Sequence, residues 1–176
     1  MSSQSTRDLG KFMNVTLSKR GDYVMRAAIC LARAYENSEP VKIRQVSSLT
    51  DIPVTYTAQV LSDLVRSGLA VSRAGRSGGY WLARSPDQIS VLDVIEAGEG
   101  EIHSDMCAMG NGPCRWEQVC PMHESWRGAL AAFRTGLKGS SLAQVAERDR
   151  QLEQGIYKVP ADSHRAAHHL VDYVAE

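Results

Sequence analysis

The 176-residue chain has no apolar run approaching the roughly 18 residues that cross a bilayer. No membrane partner is expected. Its opening stretch, MSSQSTRDLGKF, lacks an apolar core and does not read as a secretory signal, so the expected location is cytoplasmic. Internal repeats and low-complexity tracts are missing. No phosphate-binding loop, Ser-His-Asp set or paired-carboxylate motif stands out, and an enzyme is not expected. Net charge is also missing, since 20 Lys and Arg balance 20 Asp and Glu. The balance is uneven along the chain. Residues 1–90 carry 12 Lys and Arg against 7 Asp and Glu, while residues 91–176 carry 8 against 13. A basic first half points to a polyanionic partner for that half alone.

What is present is mostly helical pattern. Val24, Ala27, Ala28, Leu31, Ala32 and Tyr35 recur at helical spacing and predict a helix over 18–35 with Ser18 as N-cap. A short helix is expected over 43–49. Pro53 then breaks the chain, and Thr55 is the expected cap of a second helix running to 67. Val60, Leu61, Leu64 and Val65 form its apolar face, and Gly68 ends it. Two short strands, 69–73 and 80–83, flank the turn AGRSGG. Helix, short helix, turn, helix and hairpin in that order make a winged helix-turn-helix plan, in which one helix enters the major groove of double-stranded DNA. The fold class is thus mainly α with a small β-hairpin. A further helix is expected over 90–97.

The exposed first turn of the second helix reads as Thr55, Tyr56, Thr57, Ala58 and Gln59. Hydroxyls and amides of this kind contact phosphates or base edges, and Gln59 suits adenine. Arg73 and Arg76 flank the hairpin turn, where guanidinium groups reach a minor groove or phosphates. Thr55, Tyr56, Thr57, Gln59, Arg73 and Arg76 are therefore the candidate DNA contacts.

From 98 to 120 the periodicity disappears among glycines, and three of the four cysteines fall there. Cys107, Cys114 and Cys120 are separated by six and then five residues, and His123 follows Cys120 after two more. Cys30 lies inside the first helix and reads as a small buried hydrophobe. Clustered thiols in a reducing compartment need a reason. Thiolates suit iron–sulfur clusters and zinc. Structural zinc favours tighter Cys-x2-4-Cys knuckles. Spacing alone leaves open a cluster, a structural zinc and a redox switch or free thiols. After Pro121 a long helix resumes. Trp126, Leu130, Phe133 and Leu137, spaced 4, 3 and 4 apart, form a coiled-coil-like seam that predicts a homodimer, the other option being packing on its own domain. Residues 140–146 predict one short helix. In the polar tail, His164 and His168 sit at i, i+4 and read as a solvated pair ahead of a metal site.

Four segments, LSKRGDYVMRAA, IPVTYTAQVLSDLVRSGLA, RSGGYWLA and CRWEQVCPMHESWR, resemble the iron–sulfur winged-helix transcription regulator family typified by IscR and NsrR. The likeness covers about 17–145, and the Cys-x2-His-x2-Trp of the last segment is its most specific part. The resemblance implies a dimer built on a long crossed helix. It also implies a cluster in the preceding loop, close to the partner's DNA-binding domain, that controls affinity for a roughly palindromic promoter site. A 2Fe–2S cluster is favoured and 4Fe–4S is the alternative. Cys107, Cys114 and Cys120 match three ligands. His123 matches the fourth ligand of IscR-type proteins, and Asp22 matches the carboxylate that NsrR-type proteins present from the other subunit. The chain departs from the family in its first Cys gap, six residues rather than five. It also has Ala74 where a wing arginine usually precedes the glycine. Structural zinc, or an electron-transfer role, is the alternative reading. The expected organisation is a mobile leader 1–13, a winged helix-turn-helix 14–98, a cluster-binding loop 99–123, a dimerisation helix with a short helix 124–148, and a polar tail 149–176.

Overall fold

The computed structural model describes residues 15–103, 105–110 and 112–157. The leader 1–13 and the His164/His168 pair lie outside the described residues. Six helices and one antiparallel hairpin follow one another as α1 Lys19–Ala34, α2 Ile43–Thr50, α3 Val54–Arg66, β1 Ala70–Arg73, β2 Gly79–Leu82, α4 Val91–Glu99, α5 His123–Lys138 and α6 Leu142–Glu153. Among the described residues no helix is long and apolar enough to cross a membrane.

Helix α1 starts where Ser18 Oγ accepts the Gly21 N–H at 3.2 Å. Asp22 in its first turn and Arg33 in its last complement the helix dipole. Its stripe of Val24, Ala27, Ala28 and Leu31 is almost fully buried against α3, α4 and α6, while Tyr35 is half out. Burying each leucine of this core contributes roughly 1.5–3 kcal/mol. A Cβ at Gly21 would meet only the Glu99 side chain, at Oε1, whereas Gly98 lets α4 lie close on α1, because a Cβ there would sit 3.0 Å from Gly21 Cα. That same Glu99 oxygen accepts the Ser18 N–H.

Between α2 and α3 the chain reverses through Asp51, left-handed at φ 53°, and Pro53 is the N-cap of α3. Thr55 is therefore the second residue of the helix and not its cap, a correction to the expected boundary. Left-handed Gly68, φ 71°, ends α3, and the Leu69 N–H closes onto the Leu64 carbonyl. The hairpin pairs Ala70 with Leu82 through to Arg73 with Gly79. Its turn requires Gly78, where a Cβ would lie 2.0 Å from the Arg73 carbonyl oxygen.

Ser90 and Asp93 form a capping box on α4, and Ser141 and Gln144 form one on α6. The two helix starts are strapped together. The Val91 N–H donates to the Ser140 carbonyl at 2.8 Å, and the Leu142 N–H to the Ile89 carbonyl at 2.7 Å. Helix α6 then returns to α1, burying Leu142 and Ala146 and pairing Asp149 and Glu153 with Arg33. It runs to Glu153 rather than stopping near 146. The first residues of the expected polar tail, 149–153, are thus helical.

Candidate DNA-reading surface and cysteine cleft

On α3, Thr55, Tyr56, Ala58 and Gln59 are exposed. Thr57 is not. It is fully buried, and its hydroxyl donates to the Ile52 and Pro53 carbonyls at 3.1 and 3.2 Å. It braces the turn before α3, which overturns its expected place on the reading face. Tyr56 also stacks obliquely on Tyr23 of α1, with ring centroids 6.2 Å apart. The far side of α3 is fixed by Asp63, a carboxylate almost without exposure that bridges Arg20 of α1 at 2.7 Å and Arg66. Helix α3 is thus tied to α1 near both ends.

The wing arginines differ. Arg73 donates to the Ser77 carbonyl at 3.2 Å and lies over the Trp81 ring, 5.3 Å from its centroid. Arg76 is exposed, and among the described residues its guanidinium has no partner. The sequence reading missed Lys42. Its ammonium donates to the Arg76 carbonyl at 2.8 Å and to the Gly78 carbonyl. A cation placed just before a helix gives no local sign that it will reach a turn 34 residues away.

Cys107, Cys114, Cys120 and His123 line one cleft, with Met106, Met122 and Trp126 among its other walls. The loop is folded on itself. The Cys107 N–H donates to the Gly112 carbonyl at 2.9 Å, and the Cys120 N–H to the Trp116 carbonyl at 2.6 Å. The Met109 N–H points to Cys107 Sγ at 3.5 Å. At Cys114, a hydrogen bond from the Trp116 backbone favours the thiolate, but desolvation and the nearby Cys107 and Cys120 sulfurs outweigh it and raise the pKa. His123 opens α5 with its side chain only 10% exposed. Trp126, expected in the dimer seam, has a buried indole Nε1–H that finds no acceptor among the described residues. Among the described residues no three His, Cys, Asp or Glu side chains stand close enough to chelate an ion, so ligation requires the loop to tighten. The donor set itself, three soft sulfurs and an imidazole with an orphan N–H beside them, suits an iron–sulfur group.

Asp22 is not in this cleft. It pairs with Arg26 at 2.8 Å and borders a shallow hollow with Thr16, Leu17, Ser18 and Lys19. Arg26 in turn donates to the Thr50 carbonyl at 3.4 Å. Within one chain the two candidate fourth ligands are therefore separate. Helix α5 has no buried residue, and Phe133 is 42% exposed. It lies against α4, with Leu130, Arg134 and Leu137 half-buried, and Arg134 binds Glu96 and the Ile102 carbonyl.

Residues 17–148 match the Rrf2 family, described as "Iron-dependent Transcriptional regulator". The chain is 30% identical over 138 residues to the HTH-type transcriptional regulator IscR of Aliivibrio salmonicida, covering 78% of this chain and 80% of that protein. It is 30% identical over 121 residues to the HTH-type transcriptional repressor NsrR of Streptomyces coelicolor, covering 69% and 81%. The solved structure of T. potens IscR superposes with a TM-score of 0.60 at 23% identity, covering 84% of this chain and 96% of that one, a likeness of fold.

Proposed function

From the premise that this chain belongs to the Rrf2 family of iron-dependent transcriptional regulators, we propose that it is a homodimeric repressor-type protein whose grip on double-stranded DNA is set by an iron–sulfur cluster. The observation that carries the reading is the convergence of Cys107, Cys114, Cys120 and His123 on one cleft at the root of an otherwise uncovered helix. The three cysteines hold the cluster, and His123 is the fourth ligand. His123 is preferred to Asp22 because it lines the cleft, whereas Asp22 is paired with Arg26 away from it, and the histidine reading goes with a 2Fe–2S cluster. When bound, the cluster supplies a redox- and nitric-oxide-sensitive link between loop and helix. Everything else is done by the protein. Loop 101–122 carries its own hydrogen bonds to the foot of α5, and Leu130, Phe133 and Leu137 cover a second copy. Thr55, Tyr56 and Gln59 read the groove while Arg76 meets the backbone of a roughly palindromic site.

Two reading helices on such a site need a spacing of about one DNA turn, ~34 Å, and control requires only that the two loop states differ in DNA affinity. Anaerobic purification followed by absorbance, iron and acid-labile sulfide analysis and sedimentation tests the proposal. A coloured dimer with iron and sulfide supports it. A colourless protein with one zinc per chain overturns the cluster and leaves a zinc-stapled regulator. His123→Ala with an unchanged spectrum, against a changed one for Asp22→Ala, transfers the fourth ligand to Asp22 and favours 4Fe–4S.

A further inference from the structure

At the tip of the wing, the carbonyls of residues 76, 77 and 78 are held by cations rooted elsewhere. Lys42, at the start of the helix-turn-helix, takes Arg76 and Gly78, and Arg73, on β1, takes Ser77. Arg73 is further fixed over Trp81, whose Nε1–H donates to the Ser38 carbonyl at 3.3 Å. Strand β2 is tied to the same stretch through reciprocal Val41–Tyr80 backbone bonds of 3.0 Å. The tip is thus referenced to residues 38–42, the entry to α2, as well as to its own hairpin. A two-stranded hairpin alone is too weak to hold one tip geometry in water. Charge-assisted hydrogen bonds to its carbonyls supply what it lacks. Both cations are engaged inside the protein, and Arg76 is the one left facing out.

We propose that Lys42 is a positioning residue of the wing. With Arg73 it holds the tip in the conformation from which Arg76 meets DNA, and it makes no phosphate contact of its own. This rests on the reading of Arg76 as a DNA contact, and salt dependence separates the two. Each cation–phosphate contact contributes about −0.9 to the slope of log affinity against log salt. A residue that only sets the competent population of the wing lowers affinity by that population and leaves the slope alone.

The test uses the full chain, purified anaerobically, and a palindromic duplex selected from a random library, titrated by fluorescence anisotropy over a salt series. Arg76→Ala is expected to flatten the slope by about one contact. Lys42→Met is expected to weaken binding roughly three- to tenfold at every salt concentration with the slope unchanged. Lys42→Arg, which keeps the donors, restores most of the affinity. In an Arg76→Ala background Lys42→Met adds less than about twofold, because its effect passes through Arg76. Arg73→Met repeats the Lys42→Met pattern and stands in for it if that variant does not fold. A slope that falls by about one contact in Lys42→Met makes Lys42 a phosphate ligand and overturns the proposal, as does unaltered affinity. An Arg76→Ala protein with unchanged affinity and slope removes the DNA contact itself, and the proposal with it.

Discussion

In α1, Cys30 is 8% exposed among Ala27, Leu31 and the returning α6, and burial pushes its thiol up to about 11. In the 101–122 loop, Cys107, Cys114 and Cys120 are half-exposed, crowd one another, and are surrounded by Met109, Trp116 and Val119, each at least 70% exposed. The core uses sulfur as a small apolar atom and suppresses its charge. The described part of the loop buries no large apolar side chain, and it leaves apolar side chains in water beside three half-exposed thiols. A segment so poorly buried has little reason to hold one shape unaided, which is what a ligand-responsive segment requires.

The sharpest way to break this contrast is to exchange which cysteine matters. Ala at Cys107, Cys114 or Cys120 is expected to abolish visible absorbance and bound iron while thermal unfolding of the winged-helix core barely moves. Cys30→Ala keeps its colour. Bound iron after Cys114→Ala equal to that of the unsubstituted protein makes the contrast meaningless. The converse variant is Leu64→Ala, which empties a fully buried site. It is expected to cost about 2–5 kcal/mol in urea unfolding, with iron per folded chain unchanged.

A pH series sharpens the same contrast. Below pH 9 the Cys30 thiol is protonated in folded and unfolded chains alike. Between its ordinary value of 9.0 and its folded value of about 11, the unfolded chain releases a proton that the folded chain keeps. Stability therefore falls as pH rises through that window, by an amount on the order of 2–3 kcal/mol. Cys30→Ala is expected to remove that part of the slope in denaturant titrations at pH 8.5 and 11. The smallest effect is expected at the helix tie. Arg20→Ala leaves buried Asp63 with Arg66 alone and costs about 1–2 kcal/mol by calorimetry, less than a fully buried pair would because Arg20 is half-exposed.

Most of the winged-helix domain is legible in the sequence because its helices bury periodic stripes. Val24, Ala27, Ala28 and Leu31 announce α1, and Ser18 announces the cap it forms. What is hidden depends on partners far along the chain. In the polar run AERDRQLE, Asp149 and Glu153 of α6 meet Arg33, more than a hundred residues earlier, a tie that the local sequence does not show. Thr57 looks like a surface hydroxyl until the carbonyls of Ile52 and Pro53 are seen beneath it. Its position four and five residues after those carbonyls was the available sign. Trp126 fits a 4-3-4 seam by count, yet the loop folds back over the first turn of α5 and takes that side chain into the cleft. The three cysteines and His123 were legible as a set because their chemistry, not their packing, singles them out.

Helix α5 is tied to the domain in its second half, while the loop folds over its first turn. The strap between residues 89–91 and 140–142, with Arg134 beside it, is its fulcrum. The arm from 123 to 133 reaches roughly 16 Å beyond that pivot at 1.5 Å per residue. A tilt of about 10° at the pivot swings the far end, where His123 sits, by roughly 3 Å, and the same geometry run backwards turns a small closure of the loop into a rotation of whatever rests on Phe133. Leverage of this kind needs no rearrangement of the core: in the proposed dimer the winged-helix domain would stay rigid while its orientation toward a second copy is steered from the tip of the arm.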